Sequence, residues 1–410
     1  MKSEWFSSRL QETSLNVVQT EIDSVRKKDV LRTGVRVYQD GQIGVAGAIG
    51  GYDADELAQK AVDALALGIP YPYPPSADRV ERVEPESDLP EGAALVSEME
   101  AALVELRRAQ PAFSFSNRIT VATREVSLRN DCGLDLAYRG TQINVDLLVK
   151  DKASANILDA FVGFGGWRYD RGEFLRLANQ VCDAYQNPVE IDEGTHPVLF
   201  LADDDAYLSK LIESLHGLLY ATGGSLFSGK LGQQLFDERV TVVQTRNPAD
   251  DVPGPFFDTE GTVNLGYRFD LIRDGVLRSP MTDKKHAARY DLPLTGSAGG
   301  EYDSVPTLGL TPIQIAPTGQ TIAELVGGRP AVLVWIAMGG DFTPDGQFGT
   351  PVQLAFLYDG EKMVGRLPGL NLSSHLYKML GEDLIGVSTD SLTPLTKMNL
   401  IGMRMQVSKS

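Results

Sequence analysis

The segment Asp203–Val243 reads DDDAYLSKLIESLHGLLYATGGSLFSGKLGQQLFDERVTVV, and the fold is predicted to form around it. Three aspartates open it, and carboxylates favour a helix start because they face unpaired N–H groups and the positive end of the helix dipole. Six apolar residues follow at helical spacing: Leu208, Leu211, Ile212, Leu215, Leu218 and Leu219. Gly223 and Gly224 end the pattern, as glycines commonly do at helix C-termini. The segment therefore predicts one central helix with a single buried face.

His216 lies beside this apolar stripe and raises the question of a metal site. A helical zinc protease site needs two histidines about one turn apart on one face, with a glutamate beside the first as the base. Here Tyr220 stands four residues after His216, and Ile212 stands four residues before it. The predicted helix thus has the position and shape of a metalloprotease helix but lacks the residues that bind the metal.

Composition restricts the classes of function. The 410 residues include 38 basic and 55 acidic side chains, for a net charge of −17, which disfavours binding to a phosphate backbone. No apolar run approaches the ~20 residues of a membrane helix, and the start MKSEWFSSRLQE has charges where a signal peptide is apolar. Cys132 and Cys182 are far apart, which favours reduced thiols. We therefore predict a cytoplasmic protein that contacts neither nucleic acid nor membrane.

The first 188 residues predict an α+β domain with an antiparallel sheet. Strands are predicted over residues 14–50 around an Asp40-Gly41 hairpin turn, because a type I′ turn requires positive φ at both central residues. Helical patterns follow Asp53, cover about residues 91–108 and recur at about 172–185, with alternating strand patterns between the last two. Asn187-Pro188 marks the predicted boundary, so the first predicted domain is residues 1–188.

Residues 189–410 predict a β-rich second domain that contains the central helix. A short buried strand at Pro197–Ala202 precedes this helix. Further strands are predicted near residues 240–243, 263–272, 313–315, 332–337 and 352–358. A last helix is predicted at Ser374–Leu380, before a C-terminal strand at about Met403–Val407. The whole chain is therefore predicted to have an α+β fold with two domains.

A second candidate site is the sequence Asp258-Thr259-Glu260-Gly261, on a loop rich in proline and glycine. Carboxylates two residues apart can point to the same side of an extended segment, where they could share general acid and base roles. Asp258 and Glu260 could instead serve as loop caps and ion-pair partners, and this second interpretation is favoured. No GxSxG elbow and no Cys–His pair supports a serine or cysteine hydrolase.

Several short motifs occur in a fixed order along the chain. They are Gly34-Val-Arg-Val-Tyr38, Gly194-Thr-His-Pro-Val-Leu199, Gly223-Gly-Ser225, Ser228-Gly-Lys-Leu-Gly232, Phe257-Asp-Thr-Glu-Gly-Thr262, Leu271-Ile-Arg-Asp-Gly-Val-Leu277 and Thr295-Gly-Ser-Ala-Gly299. In this order they resemble the TldD/PmbA (TldE) family, whose members are also called modulators of DNA gyrase or peptide maturation proteins. The resemblance spans nearly the whole chain.

The resemblance implies a two-domain α+β fold that pairs with a second, related chain. In the TldD branch a His-Glu-x-x-x-His helix and a cysteine near the C-terminus hold zinc, and the protein cleaves peptides. Neither histidine of that motif is expected in the Leu208–Tyr220 helix, and no cysteine follows Cys182. The chain therefore resembles the PmbA/TldE branch, which has no metal, and zinc is expected in a TldD-like partner.

These features lead us to expect a zinc-free partner subunit of a TldD/TldE-type heterodimeric metallopeptidase that processes or degrades extended peptides. Such a subunit would close the active-site cleft and be inactive alone. His216, Asp258 and Glu260 are the predicted cleft-lining residues, and no catalytic or metal-binding residue is expected in this chain. Two alternatives stay open: a stand-alone metal-dependent peptidase with an atypical site, and a non-catalytic homodimeric peptide-binding module.

Overall fold

A computed structural model describes residues 1–395 and 399–410. These residues form an α+β structure in which helices pack on two large sheets, and the predicted fold class is confirmed. One sheet is built from strands between Lys2 and Gly166, and the other from strands between Gly194 and Lys409. The division into domains at residue 188 stays a prediction.

The N-terminal sheet has seven strands, and three helices accompany it. The strands are β1 (Lys2–Val18), β2 (Glu21–Gln39), β3 (Gln42–Ile49), β4 (Arg79–Val83), β5 (Phe113–Asn130), β6 (Leu134–Asp151) and β7 (Ala160–Gly166). The helices are α1 (Ala54–Asp63), α2 (Gly92–Ala109) and α3 (Arg171–Gln186), and a 3₁₀ turn at Ala64–Leu67 continues α1. The strand order is β3-β2-β1-β5-β6-β4, with β7 also paired to β6. The pairings are antiparallel except that of β4 with β6, which is parallel.

Local signals at the first hairpin and first helix are confirmed. Asp40 and Gly41 join β2 to β3 with φ values of 51° and 75°, as a type I′ turn requires. Asp53 precedes α1, and its side chain accepts the N–H of Glu56 at 2.9 Å. This bond satisfies one of the N–H groups that have no partner inside the helix.

Strands β5 and β6 change their buried face midway. In β5 the buried residues are odd-numbered up to Thr123 and even-numbered from Val126 onwards. Because successive side chains alternate between faces, a shift by one residue moves the apolar set to the other face. The first half of β5 packs with α2 and α3, and the second half packs with Phe256 and Phe257. One sheet therefore contributes to two separate cores.

The C-terminal half contains the remaining strands and helices. The strands are β8 (Gly194–Leu201), β9 (Val242–Thr245), β10 (Arg268–Arg273), β11 (Val276–Leu277), β12 (Ala298–Gly299), β13 (Thr307–Leu308), β14 (Ile313–Ile315), β15 (Ala331–Ala337), β16 (Asp341–Phe342), β17 (Gln347–Tyr358), β18 (Met363–Arg366), β19 (Leu370–His375), β20 (Leu384–Ser391) and β21 (Asn399–Lys409). The helices are α4 (Asp205–Ser214), α5 (Gly217–Thr222), α6 (Lys284–Tyr290), α7 (Ile322–Val326) and α8 (Leu376–Met379), with 3₁₀ turns at Pro248–Asp250 and Leu265–Tyr267. In the described parts of the chain, no helix has the length and apolar character needed to cross a membrane.

Five strands of the C-terminal sheet close into a barrel. Their order is β15-β8-β21-β19-β17, and β17 pairs back to β15. Closure pairs both edges of each of these five strands, so no unpaired edge remains in the ring. Helix α4 packs on this barrel, since Tyr207, Leu208 and Leu211 share one apolar core with Val198 and Phe200 of β8. The smaller sheets are β11-β10-β9-β14 and β12-β13.

The central helical segment begins and ends where the sequence predicts. Asp204 caps the start of α4, where its carboxylate accepts the N–H of Ala206 at 2.8 Å. Gly223 ends α5 in the left-handed conformation with a φ of 85°, which a glycine adopts without steric cost. The predicted start and stop signals are therefore confirmed.

The prediction of one continuous helix is wrong, because α4 and α5 are separated at Leu215 and His216. His216 has a φ of −70° and a ψ of 118°, which is extended rather than helical backbone. The cause is a tertiary contact: the N–H of Met281 donates to the carbonyl oxygen of Leu215 at 2.7 Å. The buried stripe ends at this break, and Leu218 is 39% exposed.

Gly217 begins α5 directly against this neighbouring segment. A Cβ at this position would overlap the carbonyl oxygen of Met281, and a backbone atom cannot rotate away. Gly217→Ala is therefore expected to lower the free energy of unfolding by about 1–3 kcal/mol, the usual cost of overpacking. Urea unfolding would measure this loss. Gly224→Ala is the matched control, because its Cβ would meet atoms no closer than 3.5 Å, and an equal loss in both variants would contradict the prediction.

Candidate functional site

Two loops of the C-terminal half, residues 254–262 and 300–306, contact the N-terminal sheet. Gly34 and Gly47 are paired across β2 and β3, and atoms of Tyr302 and Asp303 occupy the space where their side chains would lie. The first loop brings the carbonyl oxygen of Thr259 to the Arg36 side chain. We call the buried and half-buried polar groups at this contact the seam: Glu4, Arg36, Tyr38, Tyr71, Asp258, Glu260 and Lys284.

Asp258 shapes the first loop from the inside. Its carboxylate accepts the N–H groups of Glu260 at 3.0 Å and Thr262 at 2.8 Å, and that of Ala298 in β12 at 3.0 Å. Burial raises the pKa of Asp258, while the nearby Arg246 and the three N–H donors act in the opposite direction. These contacts are those expected of a loop cap.

Glu260 joins three segments of the chain. Its carboxylate accepts the hydroxyl of Tyr71 and the backbone N–H of Lys284, the latter at 2.9 Å. Its main-chain carbonyl accepts the hydroxyl of Ser76 at 2.7 Å. Burial, together with repulsion from Asp258, raises the pKa of Glu260 to about 7. A carboxyl group that titrates near neutral pH can serve as a general acid or base.

Arg36 and Glu4 form a buried ion pair beneath the first loop. Both side chains are 1% exposed, and Arg36 Nη1 lies 3.3 Å from Glu4 Oε1. Glu4 also accepts the hydroxyl of Tyr38 at 2.9 Å and the side-chain amide of Asn130 at 3.1 Å. Arg36 donates as well to the carbonyl oxygen of Thr259. The pair therefore ties β1 and β2 to the first loop.

His216 lies where α4 meets α5, and Met281 runs beside it in a parallel bridge. Its Nδ1 atom is buried, with no hydrogen-bond partner among the described residues. Burial lowers the pKa of His216, and the neighbouring His286 lowers it further, so the imidazole is neutral at pH 7. His286 contacts the buried carboxylate of Asp283 through Nδ1 at 2.6 Å. Since Lys284 directly follows Asp283, the His216 region adjoins the seam.

The spacing of the metalloprotease motif can be compared with the residues of α4 and the His216 break to ask whether they could bind zinc. The two histidines of His-Glu-x-x-x-His are five residues apart, so the motif can be placed on this segment with His216 as its second histidine. Leu211 then takes the first position and Ile212 takes the glutamate position, and neither side chain has a donor atom. Leu211 is fully buried in the apolar core. Within residues 1–395 and 399–410, no three His, Cys, Asp or Glu side chains are grouped to hold a metal ion, so the residues present do not fit this zinc site.

The structure brings two of the three predicted site residues together. Asp258 and Glu260 share the seam, and His216 lies outside it, paired with Met281 shortly before α6. Asp258 and Glu260 are 2% and 3% exposed, so both carboxylates lie beneath the protein surface. The cleft-lining role of the three residues stays a prediction.

Sequence reasoning missed five members of the seam, which are Glu4, Arg36, Tyr38, Tyr71 and Lys284. Arg36 occupies a position in an alternating strand where a charged residue normally faces solvent. Tyr71 lies in a proline-rich segment whose composition predicts a stiff linker. What these residues share is contact with distant segments of the chain, and no local sequence pattern predicts such contacts.

Comparison with known proteins points to one family. A family model described as the PmbA/TldA metallopeptidase C-terminal domain matches residues 194–405 of this chain. An uncharacterized protein of Methanocaldococcus jannaschii is 24% identical over 164 residues. That alignment covers 38% of this chain and 37% of the relative, so it spans well under half of either protein.

Two solved structures are similar over nearly the whole chain. TldE from Thermococcus kodakarensis has a TM-score of 0.79 and 18% identity, and the match covers 100% of this chain and 97% of that chain. A candidate modulator of a DNA gyrase from Thermotoga maritima has a TM-score of 0.79 and 15% identity, with 99% and 96% covered. At 18% and 15% sequence identity, these similarities show that the fold is shared.

Proposed function

Since this chain belongs to the TldD/PmbA family of metallopeptidases, we propose that it is the zinc-free subunit of a heterodimeric peptidase in the cytoplasm. A TldD-like chain would contribute the His-Glu-x-x-x-His helix and the zinc ion. This chain would close the active-site cleft and help to process or degrade extended peptides.

The proposal rests on one observation, which is that α4 has no metal-binding residue where the zinc motif would require one. If His216 is the second histidine of the motif, the first falls on Leu211, which is buried against the barrel. An imidazole at that position would lie in an apolar core, where an unpaired polar group is unfavourable. The Thermococcus kodakarensis protein named TldE has the same fold.

The proposed role of this chain is confinement rather than bond cleavage. The metal in the partner would polarise the peptide carbonyl, and a closed cleft would exclude water and admit only extended chain. His216 is half-buried and neutral, so it is the predicted site residue that a peptide could reach. The net charge of −17 argues against a nucleic-acid partner.

The proposal is tested by assaying the chain alone and after co-expression with a TldD-like chain that contains His-Glu-x-x-x-His. We expect the two chains to co-purify, and we expect chelator-sensitive cleavage of unfolded casein from the complex only. Zinc measured in the complex should disappear when the partner's motif histidines are replaced. His216→Ala in this chain is the control, and it should leave the zinc content unchanged.

Each alternative function predicts a different result in the same experiment. Stoichiometric zinc and chelator-sensitive cleavage by the pure chain would establish a stand-alone peptidase and overturn the proposal. A stable dimer of this chain that binds unfolded peptide, but ignores the TldD-like chain, would instead support the homodimeric binding module.

A further inference from the structure

We propose that Asp283 sets the tautomer of His216 through one internal water molecule, so that the imidazole carries its hydrogen on Nδ1 and presents the Nε2 lone pair outwards. Asp283 is then a positioning residue, and the outward lone pair accepts an N–H group of an extended peptide. The peptide contact rests on the proposed function. The tautomer does not, because it would be the same in the chain alone.

Two buried polar atoms near the junction of α4, α5 and α6 have no hydrogen-bond partner among the described residues. They are Nδ1 of His216 and Oδ2 of Asp283. Asp283 is 0% exposed, so bulk water does not reach its second oxygen. Buried polar groups are nearly always hydrogen-bonded, and each exception in a folded protein needs an explanation. Two such atoms in one region point to a shared partner.

The backbone brings these two residues close together. His216 pairs with Met281 in a parallel bridge, and Asp283 follows Met281 by two residues. Burial lowers the pKa of His216, and the nearby negative charge of Asp283 acts in the opposite direction. No hydrogen bond joins the two side chains directly, so a bridging water molecule would satisfy both atoms.

The donor atoms at this junction favour water over a metal ion. Asp283 Oδ1 already accepts the N–H of His286 at 2.7 Å and contacts its Nδ1 at 2.6 Å. Throughout the two described ranges, no three His, Cys, Asp or Glu side chains are grouped to hold a metal ion. A buried water molecule needs only two to four polar partners, and the two atoms without partners provide the first two.

The charge of Asp283 decides which nitrogen of His216 carries the hydrogen. A carboxylate oxygen only accepts hydrogen bonds, so the water directs one of its hydrogens to Oδ2. An N–H at Nδ1 that donates to the water oxygen then points its positive end toward the carboxylate, whereas a lone pair on Nδ1 would face that negative charge. The imidazole is neutral at pH 7, so only one nitrogen carries a hydrogen and Nε2 becomes the acceptor.

This tautomer suits a peptide main chain. His216 is half-buried with Nδ1 as its buried nitrogen, so a peptide reaches the ring from the side of Nε2. An extended peptide carries main-chain N–H groups that need acceptors. A bare Nε2 accepts one of them, whereas the other tautomer would oppose it with a second donor.

Nitrogen NMR of the full chain, labelled at its four histidines, tests the tautomer. We expect His216, identified by the signal that is lost in His216→Ala, to carry its hydrogen on Nδ1 at pH 7. Asp283→Asn should move this hydrogen to Nε2, because the amide group donates from the position of Oδ2. Asparagine also caps helices well, so α6 is retained. Asp170→Asn changes the exposed cap of α3, and as the control it should leave the His216 tautomer unchanged.

The peptide contact is tested in the complex with the TldD-like chain. Asp283→Asn should raise KM for an unfolded peptide roughly fivefold, the usual effect of losing one hydrogen bond, with kcat unchanged. In the His216→Ala background it should have no further effect. An unchanged KM in Asp283→Asn would refute the peptide contact, whereas a complex without any activity would refute the proposed function.

Two results would overturn the role of Asp283. One is a wild-type His216 with its hydrogen on Nε2, and the other is a hydrogen that stays on Nδ1 in Asp283→Asn. Should that variant not fold, a crystal structure of the wild-type chain decides. It should show a water molecule within hydrogen-bond distance of both Nδ1 of His216 and Oδ2 of Asp283, and apolar packing between these atoms would rule out the bridge.

Discussion

Arg36→Met is expected to lower the free energy of unfolding by about 3–5 kcal/mol, because it leaves the buried Glu4 carboxylate without its cation. Both side chains are 1% exposed, so water cannot replace the lost partner without opening the seam. Methionine keeps a long apolar side chain and limits the cavity. Urea unfolding would measure the loss from the shift in the transition midpoint.

Two further variants separate this buried charge effect from a general effect of losing arginine. Arg82→Met removes an ion pair with Asp135 whose side chains are 63% and 43% exposed, and it is expected to cost less than about 1 kcal/mol. Glu4→Gln combined with Arg36→Met should be more stable than Arg36→Met alone, since the unpaired charge is gone. A double variant as unstable as the sum of the single ones would rule out this explanation.

Gly34→Ala is expected to lower the free energy of unfolding by about 3 kcal/mol, at the upper end of the cost of overpacking. The new Cβ would overlap the carbonyl oxygen and carbonyl carbon of Tyr302. These are backbone atoms of the loop that lies on β2 and β3, so relief requires the loop to move away from the sheet. Urea unfolding would measure the loss, and faster proteolysis at residues 300–306 would locate it.

Gly51→Ala provides the matched control for this prediction. It makes the same chemical change shortly after β3, at a position where an added Cβ meets nothing within 4 Å. Its stability should therefore stay close to that of the wild type. Comparable losses in Gly34→Ala and Gly51→Ala would show that the contact with Tyr302 is not the cause.

The sequence predicted local elements best where a short-range interaction decides the backbone. Asp40-Gly41 makes the type I′ turn because both residues adopt positive φ, and Asp204 and Gly223 cap the helical segment as expected. The break at His216 could not be predicted in this way. Its cause is the N–H of Met281, a residue that lies 65 positions further along the chain.

The sequence identified only those site residues that are close neighbours along the chain. Asp258 and Glu260 attract attention as neighbours in sequence, and the structure places both in the seam. What surrounds them comes from β1, β2, the connection before β4, and α6. Burial among these segments, together with repulsion from Asp258, raises the pKa of Glu260 to about 7, and local sequence does not specify this burial.

The sequence by itself determined the fold class, the first hairpin turn, the two ends of the central helical segment, and the absence of donor atoms at Leu211 and Ile212. These features depend on residue type and on contacts within a few positions, and both are readable along the chain. The tertiary structure alone decided the barrel closure, the division of the central helix and the assembly of the seam. Each of these depends on which distant segments come into contact, and buried hydrogen bonds and charges have their effect only after that contact has formed.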